Sequence, residues 1–210
     1  IVHPHGGPEG VRDEWGFNSR VQMFASEGFN VLQINFRGSG GYGRSYGTFI
    51  RGNWDGVLND IFDGIEYTSD QGLIDINRIC IYGGSYGGYA ALMGAATSDL
   101  YQCAVSFAGV SDLLYLLDGS RRYGGEEVLR IMLGDKSRSE LSETSPVNLT
   151  DQIKVPVLLV QGDDDSRVLL KHGRKMRDAM EDSGVNYIYI EQEDSDHFLT
   201  LKRNRLQFFK

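Results

Sequence analysis

The sequence is short of several things, and each shortage excludes something. It has two cysteines, Cys80 and Cys103. Both fall inside apolar, strand-like runs, which predicts buried free thiols and not a disulfide or a metal site. It lacks an excess of basic residues: 21 Lys and Arg stand against 29 Asp and Glu, for a net charge of -8. A nucleic-acid-binding surface needs positive charge, so that class is excluded, and an anionic membrane gains no electrostatic hold. No apolar run approaches the roughly 20 residues of a membrane-spanning helix. There is no internal repeat and no low-complexity segment. There is also no initiator Met and no signal-peptide pattern. The chain starts at Ile1-Val2-His3 as if already inside a strand, and reads as a piece of something longer. A cytoplasmic location is the default expectation, with any export signal lost along with the missing part.

What remains is an ordinary globular composition, 40% hydrophobic and 24% charged over 210 residues, enough for one domain with a real core. Short runs rich in Val and Ile, with little alternation, predict strands at 1–3, 30–35, 78–82, 103–108, 155–161 and 186–190. Helical patterns lie between them at 18–26, 54–69, 86–97, 171–183 and 199–209. In the second of these, Val57, Leu58, Ile61 and Ile65 form one apolar stripe. Unalternating strands interleaved with helices imply a mostly parallel α/β sheet buried on both faces. Residues 111–148 break the rhythm with a cluster of Tyr115, Arg121, Arg122 and Tyr123.

In such a sheet, sites lie beyond the carboxyl ends of the strands. The unusual residues gather there: His5-Gly6-Gly7-Pro8 after the first strand, the glycine-rich stretch 38–43 after the second, Ser85 after the third, Asp163-Asp164-Asp165 after the fifth and His197 after the sixth. Gly83-Gly84-Ser85-Tyr86-Gly87 fits G-x-S-x-G, a sharp strand-to-helix turn that lifts one serine hydroxyl above the sheet. The Tyr86 N–H points into the same space and can stabilise an oxyanion. A serine needs a base. Of the histidines after Ser85, His172 falls among Lys171, Arg174 and Lys175 and is expected on a solvated helix face, whereas His197 lies in the polar loop where a base belongs. The supporting carboxylate must be one of the three aspartates, and spacing alone does not choose. The glycines of the first loop offer a second oxyanion donor. The stretch 38–43 also fits G-x-G-x-x-G, but no clean apolar helix follows it, so it is read as a structural turn and not a dinucleotide site.

In combination, "HGGP", "NFRGSGGYG", "GGSYGGYAALM", "SPVN", "PVLLVQGDDDSRV" and "DH" resemble the catalytic domain of the prolyl oligopeptidase family of serine peptidases, nearest its acylaminoacyl-peptidase and dipeptidyl-peptidase branch. The resemblance covers nearly the whole chain. It implies an α/β-hydrolase fold, here expected as one domain over residues 1–210 lacking its first two strands, without the family's N-terminal β-propeller. It implies Ser85, Asp165 and His197 as nucleophile, acid and base, because Gly162-x-x-Asp165-x-x-Val168 fits the family pattern. Gln161 stands where that pattern has histidine, a departure expected to touch the strand end and not the triad. The resemblance also implies oxyanion donors at Gly7 and Tyr86. Prolyl oligopeptidase itself takes one donor from a tyrosine hydroxyl at the position of His5, so the Gly7 N–H takes over that role here.

Arg167 matches an arginine that binds a substrate carbonyl in part of the family; its alternative is a surface arginine paired with the nearby aspartates. Val168 and parts of residues 111–123 are expected around the pocket for the residue before the scissile bond. The implied reaction is hydrolysis of short peptides through an acyl-enzyme, without metal or other cofactor. Expected partners are the peptide substrate, the absent propeller and, through an unpaired sheet edge, a second copy of the chain; nucleic acid and membrane are not among them. A carboxylesterase on the same fold and a catalytically silent binding module are the alternatives.

Overall fold

A computed structural model describes residues 1–120 and 125–209 of the chain. Its strands β1 (Ile79–Gly84), β2 (Tyr101–Phe107), β3 (Val157–Gly162) and β4 (Tyr187–Gln192) form one sheet in chain order, and every pairing is parallel. Beyond β1 the sheet continues through single parallel bridges, Val2 to Ile81 and Val2 to Leu32. The strands predicted at 1–3 and 30–35 are therefore reduced to single bridging residues, Val2 and Leu32. Asn30 and Asn35 limit the second of them: their side chains are committed to loops, Asn30 Nδ2 to Leu73 O and Asn35 Nδ2 to Asp13 O.

Alternate residues of the strands bury on opposite faces. Ile81, Val157 and Leu159 join one cluster, with α3 (Leu58–Asp70), α4 (Tyr86–Thr97) and α8 (Lys171–Asp182) contributing Ile61, Leu92 and Met176. Val160, Phe107 and Leu158 join another. On that second face, Phe24 of α1 (Ser19–Ser26) and Phe208 of α9 (Lys202–Phe208) meet Tyr82, and Phe208 also meets Phe107. Helices on both faces are what the unalternating strands require. The remaining helices are short: α2 (Arg44–Thr48), α5 (Leu113–Ser120), α6 (Glu126–Leu133) and α7 (Arg138–Glu143). The last three occupy the stretch that broke the strand–helix rhythm. Tyr115 stands on α5, while Arg121, Arg122 and Tyr123 lie outside the described residues.

Helix α4 has the predicted bounds, and its residues from Tyr86 to Ala96 are all buried. Helix α3 starts at Leu58, later than the predicted 54. The intervening turns bond i to i+3, from Leu58 N to Asp55 O and from Asn59 N to Gly56 O, as expected around a glycine that weakens the α-helix.

The free-thiol expectation is corrected. Cys80 and Cys103 are register partners on β1 and β2, with Cα atoms 4.7 Å apart, and they form a disulfide. Each cysteine does lie in a strand as predicted. That they face each other depends on the pairing register, which the separate runs do not reveal.

Candidate active site

Strand β1 ends at Gly84, and α4 begins at Tyr86. Ser85, between them, has φ 58° and ψ -120°, a conformation costly for a residue with a side chain and held only by its surroundings. Here the holding bonds are Ser85 N to Phe107 O at 3.0 Å and Tyr89 N to Ser85 O at 3.1 Å. A Cβ on Gly83 would strike the Gly87 carbonyl, and one on Gly87 would strike the Pro4 carbonyl. The turn therefore needs glycine on both sides of the serine. As the first helical residue, Tyr86 has an N–H with no partner inside its own helix, and the helix dipole favours negative charge there. Its side chain is buried and donates to Trp54 O at 2.7 Å, and burial pushes its phenol well above the ordinary value.

The loops after β3 and β4 are tied together by backbone bonds from Asp163 N to Gln192 O and from Asp164 N to Ser195 O. These bonds set the next pair. Asp165 is 4% exposed, while Asp163 and Asp164 face solvent. Asp165 Oδ1 accepts from Arg167 N at 2.8 Å and from Val168 N at 2.9 Å. Its Oδ2 lies 2.7 Å from His197 Nδ1. A carboxylate accepts, so Nδ1 carries the proton of this bond and Nε2 is left for the cavity. Of the three candidate aspartates, Asp165 is the one paired with a histidine.

Two expectations are corrected here. Gln161 does touch the predicted triad: its Nε2 donates to Asp165 Oδ2 at 3.3 Å and to Val168 O at 2.8 Å, so it buttresses the carboxylate from the strand end. His172 is not on a solvated face but 1% exposed. It sits in the first turn of α8, turned toward Ser111, whose Oγ donates to His172 O at 2.8 Å, and its ring meets Tyr115 edge-on. The basic residues around it take the outward positions, and burial pushes its pKa down to about 4.

The first loop closes over the turn at Ser85. A Cβ on Gly6 would lie 3.1 Å from Gly84 O, and Gly7 has φ +127°, which favours glycine. The stretch 38–43 backs this loop as a structural turn, through Gly10 N to Gly38 O at 2.9 Å and Gly40 N to Val11 O at 3.0 Å. Gly7, Ser85, Arg167, Val168 and His197 line one cavity of about 740 Å³. Among the described residues Ser85 Oγ makes no hydrogen bond, and Arg167 makes no ion pair with the neighbouring aspartates; its guanidinium lies 5.9 Å from the Phe198 ring centre. No group of three or more His, Cys, Asp or Glu side chains among the described residues is placed to hold a metal ion.

The sequence reading missed most of the cavity wall. Leu116, inside the expected 111–123, joins Val168 there, but Trp54, Val110, Leu129 and Met132 are not anticipated. They come from separate segments, and no local pattern marks them. Glu9 also lines the cavity, clamped by Arg51 through Nη2 to Oε1 at 2.7 Å and Nε to Oε2 at 2.9 Å.

The family model described as "Prolyl oligopeptidase family" matches residues 15–210. Dipeptidyl aminopeptidase BIII of Pseudoxanthomonas mexicana is 34% identical over 99% of this chain, which spans 31% of that protein. A puromycin-hydrolyzing peptidase of Mycobacterium tuberculosis superposes with a TM-score of 0.93 at 29% identity, covering 99% of this chain and 32% of that one. An acylaminoacyl peptidase in complex with Z-Gly-Gly-Phe-chloromethyl ketone superposes with a TM-score of 0.91 at 26% identity, covering 100% of this chain and 35% of that one. The chain thus spans about a third of the length of the proteins it matches.

Proposed function

The chain belongs to the prolyl oligopeptidase family and has its α/β-hydrolase fold; from that premise we propose that it is the catalytic part of a serine peptidase acting on short peptides. One observation carries the reading: the His197–Asp165 pair, at 2.7 Å with the carboxylate buried and the ring half-buried, opens onto the same cavity as a serine held in a strained strand-to-helix turn. In this reading His197 Nε2 takes the Ser85 proton as Oγ attacks the scissile carbonyl. Asp165 orients the imidazole and stabilises its charged form. The N–H groups of Gly7 and Tyr86 hold the oxyanion. His197 then returns the proton to the leaving amine, and water hydrolyses the acyl-enzyme by the same route.

The apolar wall of Trp54, Leu116, Leu129, Met132 and Val168 favours a bulky apolar side chain before the scissile bond. The phenylalanine at that place in the ligand of the related acylaminoacyl peptidase supports this preference. Arg167, unpaired among the described residues at the cavity rim, is available to a substrate carbonyl. The rest of the natural protein would carry the β-propeller partner. The Cys80–Cys103 disulfide favours an oxidising compartment over the cytoplasmic expectation.

The test is turnover by the intact natural protein on aminoacyl-, dipeptidyl- and acyl-peptide amides and on short esters. Amide turnover that falls about ten-thousand-fold or more in Ser85→Ala supports the reading. Ester turnover without any amide turnover transfers the chain to the carboxylesterases, and a folded protein with neither is a binding module.

A further inference from the structure

We infer that His5 is a positioning residue for the oxyanion hole, holding the Gly6–Gly7 amide so that its N–H faces the reacting carbonyl; this rests on the peptidase reading above. His5 Nδ1 lies 2.7 Å from Gly6 O, and its Nε2 lies 2.8 Å from Ser39 Oγ. A carbonyl oxygen can only accept, so Nδ1 carries the hydrogen. In the neutral ring Nε2 is then the acceptor, and the Ser39 hydroxyl donates to it. Burial lowers the His5 pKa and so favours this neutral form.

The Gly6 carbonyl and the Gly7 N–H are the two ends of one planar trans amide and point in opposite directions. A donor fixed on the carbonyl therefore fixes the direction of the N–H. The series from Ser39 through His5 to Gly6 also polarises the amide and makes its N–H the better donor. The ring itself is held: it is 6% exposed, and it stacks on Phe36 with centroids 4.3 Å apart. Ser39 is fully buried in the turn that backs this loop. Both ring nitrogens are occupied, so His5 does not itself donate to an oxyanion. Gly7 has a φ open to glycine, and among the described residues the His5 ring is the one group bonded to the Gly6 carbonyl.

The test compares variants of the intact natural protein. His5→Phe keeps the stacked ring and removes both bonds; kcat should fall about a hundred-fold with KM nearly unchanged, the loss typical of one oxyanion donor. His5→Asn places an amide N–H where Nδ1 stood and should recover kcat to within about tenfold of the natural enzyme. His5→Gln reaches toward Ser39 instead and should stay low. Affinity for a peptide aldehyde, which forms a tetrahedral adduct with the serine, should fall in step with kcat. Wild-type kcat in His5→Phe overturns the inference. So do equal losses in the Phe and Asn variants accompanied by a raised KM and a lowered Tm, which would assign His5 to the fold alone. The separate control is fluorophosphonate labelling of the natural enzyme at Ser85: if labelling succeeds, those outcomes count against His5 only, and if it fails, the peptidase reading falls and this inference falls with it.

Discussion

The reacting edge of the cavity and its apolar wall are built in different ways. Ser85, Gly7, Asp165 and His197 each stand in a short contiguous motif just past a strand or bridge. Backbone geometry positions them: a positive φ at Ser85, two amide bonds onto Asp165, and bonds between the loops that carry the acid and the base. The wall instead takes Trp54, Val110, Leu116, Leu129, Met132 and Val168 from separate turns and helices. Its shape depends on how those helices pack. In the proposed reading the edge carries the chemistry and the wall selects the side chain.

That contrast can be broken from either side. Asp165→Asn should cost about ten-thousand-fold in kcat by losing the acceptor that sets the His197 tautomer, with KM little changed; steady-state kinetics on a peptide amide checks it. A loss below about tenfold would remove Asp165 from the edge.

The buried His172 gives the next effect, on stability. Its folded value of about 4 lies below the ordinary 6.5, so as pH falls the unfolded chain takes up the proton first. Stability is full above about pH 6.5 and should fall by about 3 kcal/mol between there and pH 4. Urea midpoints across that range should show the slope, and His172→Gln should flatten it. Some slope should survive, because burial lowers His3 and His5 in the same direction.

Replacing both Cys80 and Cys103 by serine should lower stability by about 3 kcal/mol, from the loop their bond closes, while kcat at 25 °C stays within about twofold. Urea denaturation with and without reductant measures it. The smallest change belongs to the wall. Leu116→Ala or Met132→Ala should lower kcat/KM for a phenylalanine before the scissile bond by about tenfold relative to an alanine there. A matched loss on both substrates would place these residues in the fold and not in selectivity.

The same contrast explains what the sequence revealed. The turn at Ser85 was legible because its glycines and serine stand together in five contiguous residues, although the contact that requires Gly87 is with distant Pro4, and α4 was legible because its small apolar residues are contiguous. The resemblance selected Asp165, and of the three aspartates it is the buried one, fixed by the amides of Arg167 and Val168. Besides most of the wall, three features were not legible. The Cys80–Cys103 bond needs the β1–β2 register. The burial of His172 needs the position of Ser111, 61 residues away. The contact of Gln161 with Asp165 needs the strand end to curl back on its own loop. The first two depend on partners 23 and 61 residues away and the third on a local fold of the loop against its strand, and a helix face crowded with Lys171, Arg174 and Lys175 disguises the second.

The central claim is that Ser85 is an activated nucleophile, and fluorophosphonate labelling of the intact natural protein with mass-spectrometric mapping tests it most directly. A single adduct on Ser85, absent in Ser85→Ala and slowed in Asp165→Asn, is the predicted result. A folded natural protein that remains unlabelled, or that labels on another residue, would contradict it.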